Sequence, residues 1–137
     1  MELEQCVNFA LTKAQNIVHQ FFKARLAPYG ITPGQYGVLK CLWDEDGLTV
    51  KKLAERMYLD SSTITGLLDR MENKGLIKRQ SSPSDRRALS VVLTPAGKAL
   101  QEPVTQAIID ANQAVLKNMS EEEADSFLNI LLSLNGK

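Results

Sequence analysis

At 137 residues, with 44% hydrophobic and 23% charged positions, the chain predicts one domain with a core of its own. Sixteen basic residues balance sixteen acidic ones, so the molecule as a whole is no magnet for a polyanion. No apolar run is long enough to cross a bilayer, and the acidic start MELEQCVNFALTK lacks the basic region of a secretory signal, so a cytoplasmic protein with no membrane partner is expected.

The distribution of charge says more than its sum. Positions 49–98 hold ten bases and five acids, whereas the remainder holds six bases and eleven acids. A basic middle between acidic ends points to a polyanion met by the middle. Cys6 and Cys41 have no metal-type spacing and read as two reduced, mostly buried thiols, with a redox role at Cys6 as the alternative. The single histidine, His19, reads as a helix-surface or packing residue. With no Gly-rich phosphate loop, no Ser-His-Asp order and no metal-ligand spacing, the chain is not expected to be an enzyme, nor to carry a cofactor or metal.

In chain order, 4–27 predicts one long helix, because Val7, Leu11, Ala14, Val18, Phe21, Phe22 and Arg25 recur at roughly helical spacing. Phe9, Ile17 and Leu26 widen its apolar face, which implies burial on two sides. Pro28-Tyr29-Gly30 ends it. Thr32-Pro33-Gly34-Gln35 opens a second helix with Thr32 as N-cap, Pro33 at N1 and Gln35 closing a capping box. Val38, Leu39, Leu42, Tyr36 and Trp43 are its packing residues, and Asp44-Glu45-Asp46-Gly47 reads as a solvated turn. Leu48 is expected to add one strand residue. Thr49 caps a short helix, Val50–Met57, and the turn Tyr58-Leu59-Asp60 leads into the next helix, Ser61–Asn73.

That helix sorts cleanly at 100° per residue. Ile64, Leu67, Leu68 and Met71 share one side. Ser62, Thr63, Thr65, Gly66, Asp69, Arg70 and Asn73 share the other. Ser, Thr and Gly are poor helix formers, so their use on an outward face makes sense where another surface must approach closely. Gly75 is expected as the C-cap. Two strand-like runs follow, 76–81 and 88–94, the second with Leu89, Val91 and Leu93 alternating with Ala88, Ser90 and Val92. The polar loop Ser82-Pro83-Ser84-Asp85-Arg86-Arg87 joins them. Thr94-Pro95 starts a fifth helix, which Pro103 should kink or split. Ser120-Glu121-Glu122-Glu123 is a capping box for a last helix with Phe127, Leu128, Ile130, Leu131 and Leu134 apolar. The terminal helices carry more apolar surface than one small monomer buries, which predicts a homodimer.

The runs GLTVKKLA (47–54), LDSSTIT (59–65), LDRMENKGLIKR (68–79) and above all SDRRALSVVLTPAG (84–97) together resemble the MarR family of bacterial and archaeal transcriptional regulators, over essentially the whole chain. The last run matches the family's wing signature, Asp-x-Arg before a strand ending in Leu-Thr-x-x-Gly. The resemblance implies a mainly α fold with a small β-hairpin wing: a winged helix-turn-helix lobe at 31–98, with N- and C-terminal dimerisation helices at 1–30 and 99–137. It implies that Ser61–Asn73 enters the major groove of double-stranded DNA at a pseudo-palindromic operator. Ser61, Ser62, Thr63, Thr65 and Gly66 then face bases and phosphates, and Arg70 reaches a phosphate or a base edge. Arg87 matches the arginine inserted into the minor groove, Asp85 the acid that orients it, and Arg86 a second phosphate contact. Thr49, Lys51, Arg79 and Ser84 complete the implied DNA-contact set. Asp69 is a departure, since a base is common there, and it should weaken phosphate attraction or pair with Arg70.

Many members are repressors released by a small phenolic or other aromatic ligand. The site this implies lies near the first two helices, where Lys13, Ile17, Tyr36 and Trp43 would line it, with packing as the competing role for the last three. One subgroup senses organic peroxides through a first-helix cysteine held near two tyrosines. Those positions are Asn8, Phe22 and Pro33 here, and Cys6 lies two residues away, about 200° around a helix. Thiol-based sensing through Cys6 is one alternative function. A winged helix used only for protein contacts is the other, and it predicts exposed apolar residues where this helix carries small polar ones.

Overall fold

A computed structural model describes residues 1–82 and 87–136. Helix α1 runs over Val7–Leu26. It is shorter than the 4–27 expected, because a Glu2–Gln5 capping box closes a separate 3-10 turn at Leu3–Gln5 and leaves Cys6 extended between the two. Ala27–Tyr29 forms a second 3-10 turn, ended by Gly30 at φ +70°, a left-handed conformation that glycine adopts without steric cost. Helix α2, Pro33–Asp44, begins with the predicted box: Thr32 Oγ1 accepts from the Gln35 N–H and Gln35 Oε1 from the Thr32 N–H, both at 3.2 Å. The acidic turn after it does more than meet solvent. Asp46 Oδ1 accepts from the N–H groups of Gly47 (3.0 Å) and Leu93 (2.9 Å), tying the turn to a strand nearly fifty residues on.

Helix α3 is Val50–Met57, with Thr49 Oγ1 accepting from the Lys52 N–H at 3.2 Å. The turn into α4 has no glycine, so Tyr58 takes the left-handed conformation itself, at φ +55°. That costs a residue with a Cβ about 1–2 kcal/mol. Helix α4 spans Ser61–Asn73, as its periodicity predicts, and buries Ile64, Leu67, Leu68 and Met71. Its C-cap is Lys74 rather than Gly75. Gly75 lies one place beyond at φ +75°, where its N–H donates to Glu72 O and that of Leu76 to Met71 O, the paired bonds of a Schellman ending.

Strands β1, Ile77–Ser81, and β2, Leu89–Leu93, pair antiparallel from Ile77↔Leu93 to Ser81↔Leu89. The residue that bridges to them is Thr49, opposite Ser90, rather than Leu48 as expected; the Leu48 carbonyl accepts from the Val91 N–H at 2.8 Å. The expected alternation along β2 fails at one end. Leu89 is exposed while Ser90 and Val91 are both buried. Only the base of the hairpin lies over the core, and the Thr49–Ser90 bridge turns Ser90 toward the lobe.

Helix α5 is only Pro95–Ala99, and α6 follows over Gln101–Leu116. The split falls at Leu100, three residues before Pro103. A proline ring excludes the carbonyl four residues earlier, here that of Ala99, so Pro103 sits in the first turn of α6 rather than kinking its middle. The core unites α2, α3, α4 and the strands, with Leu26 from α1 and Val104 and Ala107 from α6. Helix α1 lies across α6. Helix α7, Glu121–Ser133, has the predicted Ser120–Glu123 box and no buried residue. Its Ile130 and Leu132 are 63% and 82% exposed. Helix-turn-helix α3–α4 followed by a hairpin is a winged helix on a mainly α frame.

Candidate nucleic-acid interface

The α4 face is built from its cap outward. Asp60 accepts from the Thr63 N–H at 2.7 Å and from Ser62 Oγ at 2.9 Å. These donors, the Thr63 N–H first, hold the Asp60 carboxyl below the usual carboxylate range. A depressed carboxyl contributes stability above its unfolded pKa of about 4 and loses it as pH falls through the folded value. Asp60→Ala is therefore expected to lower the urea midpoint at neutral pH, with the gap to the parent closing as pH falls below about 4 in paired titrations. A gap independent of pH would sink this assignment.

Ser61, Ser62, Thr63, Thr65 and Arg70 are all exposed, and Gly66 is half-buried. The Thr65 hydroxyl already donates to Ser61 O at 2.7 Å, and that of Ser62 to Asp60. Both keep lone pairs, so toward a base edge or a bridging water they offer acceptors. A Cβ on Gly66 would sit 3.8 Å from the Arg70 guanidinium, so that cation lies over the glycine. Lys51 is exposed on the first turn of α3, and Thr49, its half-buried cap, bridges to Ser90 of the wing. Two further exposed cations, Lys52 and Lys78, sit on these same elements. They were legible as part of the basic middle, but no motif gave them a role. Arg87 is exposed at the wing's return, and Ser84, Asp85 and Arg86 lie outside the described residues.

Arg79 is committed elsewhere. One of its guanidinium nitrogens donates to Asp69 Oδ1 at 2.6 Å and to Glu72 Oε1 at 2.9 Å, while its backbone N–H donates to Glu72 Oε2 at 3.0 Å. Asp69 thus pairs with Arg79, not with Arg70 as expected. The two lie ten residues apart in sequence, brought together by the turn from α4 into β1. The same contacts hold the Glu72 carboxyl below its ordinary range and push Arg79 further up. The triad is a strut between α4 and the wing. The single positive charge of Arg79 is shared by two carboxylates, Asp69 and Glu72, and offsets one of their two negative charges beside the polar face of α4.

The four candidate ligand residues do not form one pocket in the single chain. Lys13 and Ile17 line a shallow depression on α1 with Phe9 and Ala14, which includes neither Tyr36 nor Trp43. The rings of those two pack at 6.3 Å and 59°, and Trp43 Nε1 donates to Gly97 O at 3.0 Å, so Trp43 is a strut of the lobe. A more enclosed apolar hollow, about 240 Å³, lies between α1, α6 and α7, where Leu11, Val18, Phe22, Leu116 and Phe127 line it. Cys6 is half-buried at the N-cap of α1, with Asn8 exposed in the following turn. Cys41 is half-buried on α2, where burial pushes its thiol up and makes it a poorer nucleophile.

The MarR family profile matches residues 31–89. The organic hydroperoxide resistance transcriptional regulator of Bacillus subtilis is 41% identical over 102 residues, which cover 74% of this chain and 69% of that protein. A probable transcriptional regulator from Pseudomonas aeruginosa has a TM-score of 0.92 to this fold at 29% identity, covering 98% of this chain and 100% of its own. The transcriptional repressor CouR, solved on a 23-mer DNA duplex, has a TM-score of 0.88 at 28% identity, covering 96% and 94%.

Proposed function

The chain belongs to the MarR family of transcriptional regulators, and on that premise we propose that it is a repressor that binds a pseudo-palindromic DNA operator as a two-fold dimer and lets go when a small aromatic ligand binds. The observation that carries the DNA reading is the outward face of α4. Its exposed Ser61, Ser62, Thr63 and Thr65 allow close approach to base edges, with exposed Arg70 on the same helix and exposed Lys51 and Arg87 on α3 and the wing. A protein-docking face would place aliphatics or aromatics there instead. Pairing of chains through 1–30 and 99–137 is supported by the apolar residues that α1 and α7 leave exposed. The ligand reading is supported by the hollow between α1, α6 and α7, whose size and apolar lining suit one aromatic ring.

Selection from genomic fragments, followed by shift assays against salt, tests the DNA reading. A specific fragment should emerge, with half-sites about one helical turn apart, and its affinity should fall steeply with salt as counterions are released. Absence of any specific fragment at low salt would favour protein contacts instead. Arg87→Ala is expected to dimerise normally and to weaken operator binding about tenfold. Equal affinity would remove the wing arginine from the DNA contacts.

A second reading, thiol-based sensing, is favoured by the half-buried Cys6 beside the start of α1 and by the peroxide-resistance role named for the Bacillus subtilis relative. An organic hydroperoxide that releases the parent from DNA, but not Cys6→Ser, would select this reading over ligand release.

A further inference from the structure

We propose that Lys74 locks the recognition helix to the end of the dimerisation helix, and that this lock sets the half-site spacing a pair of these chains accepts. The inference rests on the DNA-binding dimer argued above and adds a positioning residue to it. Lys74 is the C-cap of α4, at the opposite end of that helix from Ser61, Ser62 and Thr63. Its ammonium donates to Gly30 O at 2.6 Å and to Gln35 Oε1 at 2.9 Å. Gly30 closes the 3-10 turn that ends α1, so the first bond joins the last residue of α4's ending to α1 across 44 positions of sequence. Gln35 is only 2% exposed, and its carboxamide oxygen also caps the Thr32 N–H, so the acceptor side of the lock is held rigidly by the capping box of α2.

Geometry gives this contact leverage. Helix α4 has 13 residues and is about 20 Å long. A swing of roughly 10° about its locked end moves its other end, where the small polar face lies, by about 3.4 Å, one base-pair rise. In a two-fold dimer each swing counts twice. A lobe tied to α1 at Gly30 therefore presents its helix at one separation, and a lobe without that tie tolerates several. The lock is also replaceable without unfolding. Lys74 is an exposed residue, and without it Gln35 Oε1 still accepts from the Thr32 N–H.

The test uses the full-length parent, Lys74→Met and Lys74→Arg, against the selected operator and versions whose half-sites are moved one base pair closer or further apart. The parent should prefer one spacing by about tenfold, Lys74→Met should flatten that preference to about twofold while binding its best site nearly as well, and Lys74→Arg should restore it. Melting temperature and dimer mass serve as controls that a merely structural role would move and this role leaves alone. A Lys74→Met profile that superimposes on the parent's overturns the proposal. A uniform loss at every spacing also overturns it, because it would make Lys74 a phosphate contact. A parent that selects no fragment at all overturns the underlying DNA reading, and it does so before any variant is compared.

Discussion

Gly97→Ala is expected to lower the melting temperature by about 6 °C, a loss of roughly 2 kcal/mol in a chain of this size. The reason lies in how closely α5 crosses the start of the wing. A Cβ on Gly97 would overlap the carbonyl oxygen of Leu76 and come within 3.1 Å of Leu93 Cδ2. The carbonyl is not at liberty to move. Leu76 O accepts from the Thr94 N–H at 3.1 Å, while Thr94 Oγ1 donates to Gly75 O at 2.6 Å and accepts from the Gly97 N–H at 3.2 Å. The Gly97 carbonyl in turn takes the Trp43 indole N–H. Overpacking against fixed backbone costs about 3 kcal/mol, offset by about 1 kcal/mol from the better helix propensity of alanine. Gly66→Ala is the matched control, since its Cβ would meet the Arg70 guanidinium at an ordinary 3.8 Å, and it should melt at or slightly above the parent temperature. Equal melting of Gly97→Ala and the parent would contradict the close crossing. The final glycine of the wing signature is thus explained by contact rather than by a left-handed backbone.

Arg79→Ala is expected to weaken operator binding about a hundredfold, from two effects of about tenfold each. The first is electrostatic. Removing the guanidinium leaves Asp69 and Glu72 without the cation they share, two carboxylates on the helix proposed to approach DNA. The second is positional, because the strut between α4 and β1 is gone and the wing no longer holds a fixed offset from α4. Salt separates them, since the electrostatic part is screened and the positional part is not. Adding Asp69→Asn and Glu72→Gln to the Arg79→Ala chain should recover the first part only. An Arg79→Ala protein with the parent's affinity, measured by titration at low salt, would rule out both. Full recovery by the two neutral substitutions would leave no positional role for the strut.

Much of this fold was legible because its signals are local. The capping boxes at Thr32–Gln35 and Ser120–Glu123, the cap at Asp60 and the apolar stripe of α4 each depend on residues within one or two turns of each other. A short motif contains all the groups needed to satisfy a helix end, so the motif alone carries the prediction. The single helix expected at 4–27 failed for the same local reason. The Glu2–Gln5 box closes its own turn, and apolar periodicity says nothing about a break at Cys6. The candidate DNA face was legible too, since 100° spacing alone sorts the small polar residues of α4 from the buried ones.

What the sequence by itself determined, then, is where the helices start and stop, which face of each is apolar, and which family's signature the wing carries. Only the tertiary structure decided the partners of the charged residues. Asp46 reaches the N–H of Leu93, Arg79 chooses Asp69 and Glu72, and Lys74 grips Gly30, across separations of 47, 10 and 44 residues for the first-named pairs. Long side chains sample many directions, and which acceptor lies within 3 Å depends on how two elements cross. Burial along β2 depends likewise on how far the hairpin overhangs the core, a distance that no alternation pattern contains.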